Sequence, residues 1–361
     1  MSSGTKAVPY LRLPVPIGLI LGSFFVITLP LSAYQLLPHP DVPGLGTLVL
    51  YLTAFQTMIL GVSHFAITGA LYLQHDNLEH FTSTRGRIAV YFVAPLCIFA
   101  SYGLIYGTRF AVTYPLFTLV LFTSLRIFDF GHVGRQSFGM LQLVKGSYGV
   151  KMPRWTRNAE DILFMALASL QMGTFVIGGT FDSEVALLRW GAIATGVLFL
   201  SICGGYAWYF AKQGKAADLW IPVAYLLLQT LAAALAVYMT ALYAVGLAMH
   251  YVEYHVVMAP RCFNTELDDR WRVDRFMTWL RNNRVVFYGV LVLVAFTVMT
   301  LVPMALEVVG SSTAEFPLRF FLHAVGGLSL AHYFVEAFLW KFSEPHYGKK
   351  LGPLYFGPRE K

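Results

Sequence analysis

Ten stretches of this chain each run for about 20 residues with almost no charge, and nothing else in the sequence constrains its fold as tightly. They cover residues 16–34, 46–72, 88–106, 111–131, 161–180, 187–210, 219–238, 240–258, 285–306 and 318–340. Inside hydrocarbon no water is left to satisfy backbone groups, so a segment of this length reads as a helix that bonds to itself. The expected fold is an all-α, polytopic transmembrane helix bundle with about ten membrane crossings, forming a single integral-membrane domain over residues 1–361. Charged residues make up 12% of the chain, against roughly 25% in soluble domains, and they cluster between the apolar runs. No soluble domain, repeat or low-complexity tract stands out; the longest polar stretch runs only from Pro260 to Arg284. Cys97, Cys203 and Cys262 are scattered, so neither a disulfide framework nor a CxxC metal site is expected. No small-residue cleavage site follows a short apolar core near Lys6, so a removable signal peptide is not expected either.

One place admits two topologies. Residues 219–258 contain no obvious loop, and as one helix they would extend about 60 Å, roughly twice the bilayer core. Either two crossings meet in a tight turn near Tyr238–Leu242, or one helix protrudes into water. Loop charges decide for two crossings. One side of the ten-crossing arrangement collects Lys6 and Arg12, Arg85 and Arg87, then Arg135, Lys145, Lys151, Arg154 and Arg157, then Lys212 and Lys215. The six arginines of 259–284 and the tail lysines Lys341, Lys349 and Lys350, with Arg359 and Lys361, fall on that side too. Positive charge stays on the cytoplasmic face, which places both termini in the cytoplasm and the protein in the cell's inner (plasma) membrane. The net charge of +7 therefore reads as topology and contact with membrane lipids rather than nucleic-acid binding. Arg154–Arg157 and the 261–284 loop, with Trp155, Trp271 and Trp279, read as basic interfacial segments. The Pro/Gly-punctuated tail from Ser343 is expected to lie along the surface.

Against this apolar background, a few polar residues recur at one depth. His64 lies on the second run, Asp129 and His132 on the fourth, His250, Glu253 and His255 on the eighth, and His332 and Glu336 on the tenth. All four runs pass from outside to inside, and all four carry these residues towards the cytoplasmic end. Ionisable groups in hydrocarbon are costly and normally face the interior of a bundle, where they serve a function. His250/Glu253 and Asp129/His132 are three apart and His332/Glu336 four apart, so each pair shares a helix face.

Imidazole and carboxylate on facing helices at such spacings suit a transition-metal centre. Candidate metal ligands are His64, His132, His250, Glu253, His332, Glu336, Asp129 and His255; the acids could instead fix imidazole tautomers from behind. Plainer roles stand beside these. His64 can be a satisfied core histidine, Asp129 can pair with Arg126 or Arg135, and Lys341 can neutralise Glu336. His75 and His80 read as solvated, His39 and His346 as interfacial loop residues, and Gln136 as a headgroup or supporting contact. If the second helix continues past its run, His75 falls three turns below His64. Tyr251, Tyr254 and Tyr333 read first as packing residues.

Ser63-His64-Phe65, the paired His250 and His255, and the late His332 followed by an acid resemble the scattered histidines of the integral-membrane carotene-cleaving dioxygenases of the Brp/Blh type. That resemblance covers about a tenth of the chain, which lacks the family's early Pro-His-Gly motif and has more crossings. It implies non-haem iron bound by histidines and a lipophilic substrate.

The expected function is a membrane-embedded, metal-dependent oxidoreductase or oxygenase using one or two non-haem iron ions. Its substrate would be a lipophilic small molecule (a carotenoid, isoprenoid, quinone or fatty-acyl chain), and a redox partner could supply electrons. Two other classes compete. A haem-binding electron-transfer or assembly protein would use cross-helix histidines as axial ligands. A proton-coupled transporter would use buried His and Glu as relays, but predicts a repeat symmetry that the sequence does not show.

Overall fold

The computed structural model describes residues 8–38, 43–108, 110–213, 216–263, 279–280, 282–302, 304 and 316–357. Among these residues there is no strand, only an isolated pairing of Thr180 with Met239. The principal helices are α1 (Pro14–Leu36), α2 (Leu45–Leu73), α3 (His75–Thr82), α4 (Arg85–Gly107), α5 (Pro115–Ser147), α6 (Arg154–Val176) and α7 (Ala186–Gln213). They are followed by α8 (Ala216–Tyr238), α9 (Tyr243–Phe263), α10 (Arg284–Phe296), α11 (Phe316–Val325), α12 (Gly327–Leu339) and α13 (Pro345–Phe356). Among the described residues, seven helices are long and apolar enough to cross a membrane, and α11 with α12, bent by 42°, would make an eighth if the pair is one span. The other two expected runs are helical as well. In α9, His250, Glu253, His255 and Arg261 dilute the apolar character, and α10 is a shorter apolar helix continued by a π-helical turn over Thr297–Leu301.

Two local outcomes differ from the sequence reading, and a third resolves a condition it left open. The fourth helix does not stop near residue 131 but runs 33 residues to Ser147, because no proline interrupts it; Arg135 and Lys145 therefore lie on a helix. The second helix ends at Leu73, as the 46–72 run has it, so the condition that would put His75 three turns below His64 is not met. Gln74 is extended (φ −85°, ψ 126°), and its side-chain nitrogen donates to the Arg261 carbonyl at 2.8 Å, so His75 opens a new helix. The tail is also more ordered than a surface strap, since α13 buries Tyr347, Leu351 and Tyr355. Of the expected basic loop, residues 264–278, Trp271 included, lie outside the described residues, as do Lys6, His39, Lys215, Arg281, Arg359 and Lys361.

The chain forms two compact units. The first comprises residues 1–56, 130–256 and 347–361. Here α6 packs on α7 and α8, and polar side chains tie α6 to α8: Gln171 donates to the Ala233 carbonyl at 3.2 Å and Thr174 to that of Val237 at 2.9 Å. At 219–258 the chain breaks at extended Met239, followed by a 3-10 turn over Thr240–Leu242. Gly246 of α9 then lies against the Ala232 carbonyl of α8, 3.0 Å from where a Cβ would sit, as two neighbouring helices in a hairpin do. Gly178 and Gly179, at φ +105° and +98°, end α6 in a left-handed turn, and the Gly179 carbonyl accepts from Thr240 N at 2.7 Å. Glu160, fully buried, is held on both oxygens: Tyr206 donates to one at 2.9 Å, Gln142 to the other at 2.8 Å, and Lys145 pairs with the latter. A buried ion pair persists only when so completely hydrogen-bonded.

The second unit comprises residues 57–129 and 257–346. Helix α4 packs on both halves of the bent pair, and α2 packs on α10 and α12. The contact of α4 with α11 is backbone-close. A Cβ on Gly103 would lie 2.7 Å from the Phe320 carbonyl oxygen, and one on Gly107 2.7 Å from the Phe320 Cα. Small residues four apart let two helices approach in this way. At the start of α12, a Cβ on Gly327 would lie 3.0 Å from the Phe99 Cα. This tight seam fixes the position of the helix that carries His332 and Glu336.

Candidate metal centre

In the second unit, α2 brings His64 and α12 brings His332 and Glu336 to one place. Helix α2 passes through a π-helical segment at Phe55–Gly61 just before His64; such wider turns shift the face that later residues present. His332 and Glu336 are one turn apart on α12 and both face inward. The His332 Nε2 lies 3.1 Å from the His64 Nε2 and 3.2 Å from the Glu336 Oε2. Ligand atoms of the three residues all lie within 4.8 Å of one another. Metal–nitrogen and metal–oxygen bonds of about 2.0–2.2 Å put neighbouring ligands roughly 3 Å apart, so these separations suit one shared ion; they equally suit one shared proton per pair. All three side chains are buried, His64 completely and His332 and Glu336 to 5% and 4% exposure. Phe65 packs edge-on to His332 and Tyr333, at 5.4 and 5.8 Å between ring centres. The cluster therefore sits in an apolar, water-poor surround and could hold a metal ion.

A residue that sequence reasoning passed over completes this arrangement. Thr68 Oγ1 lies 2.7 Å from His332 Nδ1, the ring nitrogen that faces away from His64 and Glu336. Its only sequence signal is position, one helical turn after His64.

In the first unit, His132 of α5 and His250 of α9 face each other with ring centres 5.3 Å apart, nearly perpendicular. Gln136, a turn beyond His132, donates to the His250 carbonyl at 3.1 Å rather than reaching a headgroup. Glu253 is fully buried, and Tyr225 of α8 donates to its Oε1 at 2.9 Å and lies 3.3 Å from the Ser137 carbonyl. Gln229 in turn donates to the Ser137 hydroxyl at 2.6 Å. Tyr225 was invisible in the sequence, being one aromatic in an apolar run. His255 is half-buried. Among the candidates, then, the structure gathers His64, His332 and Glu336 in one unit and His132 with His250 in the other.

Other candidates take the plainer roles. Asp129 accepts from Arg126, one turn before it, at 3.1 Å, which is the ion-pair role. Arg135 bonds both oxygens of Asp161 at 2.9 Å. Lys341 lies over the Phe338 ring at 4.2 Å. The histidines expected to be solvated or in loops behave differently. His80 is 8% exposed, 3.1 Å from Glu344, and stacked at 4.0 Å on His346, which itself lies 3.1 Å from Asn77 Oδ1. Arg87 joins Glu344 at 2.7 Å, so this group fastens the start of α13 to α3. His75 lies 3.1 Å from Glu79.

Comparison of the chain with protein-family models, with curated proteins and with solved structures returned no match.

Proposed function

We propose that this chain is an integral-membrane, iron-dependent oxidoreductase or oxygenase acting on a lipophilic substrate, with the ion held by His64, His332 and Glu336. One observation carries this reading. Two imidazoles and one carboxylate from two helices converge within 4.8 Å in a buried, aromatic-walled place. Imidazole nitrogens together with a carboxylate suit iron among the first-row metals. Iron bound there would supply dioxygen binding and activation at an open position. The chain's own residues would do the rest: the three ligands fix geometry, while Phe65 and Tyr333 exclude water. The topology that goes with this reading is ten crossings with both termini in the cytoplasm of the inner membrane, supported by the distribution of loop charges. Haem is a poor fit between His64 and His332. Their Nε2 atoms meet at 3.1 Å with Glu336 beside them, which leaves no room for a macrocycle between the two rings.

The test is dioxygen uptake by iron-loaded protein reconstituted in lipid, supplied in turn with a carotenoid, an isoprenoid quinol and a fatty-acyl lipid. The expectation is uptake with one of these classes and its loss in His332→Ala. Uptake that is equal in wild type and His332→Ala would contradict the proposal.

A further inference from the structure

We propose that Thr68 is a positioning residue that selects the tautomer of His332, and this rests on the reading of His332 as a ligand. A neutral imidazole carries one N–H and one lone pair, and the hydrogen bond made by one nitrogen decides which role is left to the other. Thr68 Oγ1 is 2.7 Å from His332 Nδ1, while Nε2 is the atom that meets His64 and Glu336. A helical threonine can give its own hydroxyl proton to the carbonyl a turn before, leaving its oxygen to accept. Accepting from Nδ1–H leaves the lone pair of His332 on Nε2, where an ion would take it. Both residues are 5% exposed, so no bulk water competes for the Nδ1 proton. Helix α2 thus supplies a ligand, His64, and one turn later the group that orients the ligand facing it. Partners of this kind, behind a metal-bound histidine, typically change metal affinity by about 10–100-fold.

The experiment uses the full chain in detergent, labelled with 15N-histidine. Nitrogen shifts report the His332 tautomer, assigned by its loss in H332Q, and anaerobic Fe2+ titration reports affinity. Wild type should show His332 protonated on Nδ1. T68V, which replaces the hydroxyl by a methyl, should lose that preference and bind Fe2+ about 10–100-fold more weakly; T68S, which restores the hydroxyl, should recover both. Should T68V not fold, T68A carries the same expectations. A wild-type His332 protonated on Nε2 would overturn the proposal by itself. So would a folded T68V or T68A with wild-type tautomer and affinity. If wild type binds no Fe2+ yet T68V still shifts the tautomer, Thr68 keeps its role and the iron reading fails.

Discussion

Glu253 shows how the same residue type serves different ends at different places. Like Glu336 it sits one turn from a histidine on an apolar helix, and the spacing alone makes them equivalent. The structure separates them: Glu336 Oε2 lies 3.2 Å from His332 Nε2, whereas Glu253 Oε1 accepts from Tyr225. Helical periodicity tells which face a side chain is on, but not which helix comes to meet it. That is why Tyr225 and Thr68 could not be found from the sequence, while His64, His332 and Glu336 could. Asp129 was decided locally, by Arg126 three residues before it, and so its pairing was legible. The Tyr225 contact makes a prediction of its own. Tyr225→Phe strips a fully buried carboxylate of a donor, which should cost about 1–3 kcal/mol. The denaturation midpoint of the purified protein should fall accordingly; an unchanged midpoint would remove Tyr225 from any supporting role.

Among the elements, the seam between α4 and the bent pair α11–α12 matters most to the site. Gly103 and Gly107 allow α11 to approach to backbone distance, and Gly327 does the same where α12 begins. Gly103→Val should force the helices apart and destabilise the protein by about 1–3 kcal/mol, as overpacking does. It should also weaken metal retention, because α12 carries two of the three proposed ligands. Gly18→Ala is the control, since no atom lies within 4 Å of a Cβ there. A Gly103→Val protein as stable and as metal-rich as that control would contradict this account of the seam. None of this close packing could be read from composition, because glycines are frequent in membrane helices for several reasons. The positions of the helices were readable, since apolar run length reports directly on the bilayer. Where they end was less so: α5 runs on to Ser147 because polarity does not break a helix, and only proline or a competing cap does.

For the molecule as a whole, the membrane itself explains which polar residues deserve an explanation. With 57% apolar residues, each buried ionisable group needs a partner, and the described ones fall into two kinds. Glu160 is satisfied by Lys145, Gln142 and Tyr206, and buried His80 lies 3.1 Å from half-buried Glu344, which Arg87 also bonds; these fasten segments together. His64, His332 and Glu336 instead bring two ring nitrogens and a carboxylate oxygen together, an arrangement that a metal ion or a shared proton would stabilise. The ten-crossing topology made a shared depth an expectation; what the structure shows is that ligand atoms of these three residues lie within 4.8 Å of one another. The most direct test is the metal content of protein purified without added chelator, measured by elemental analysis for wild type, His332→Ala and Glu336→Ala. Wild type should retain iron in stoichiometric amount, and each variant should remain folded and lose most of it. A folded wild type with no bound metal, or variants that keep the full complement, would contradict the account.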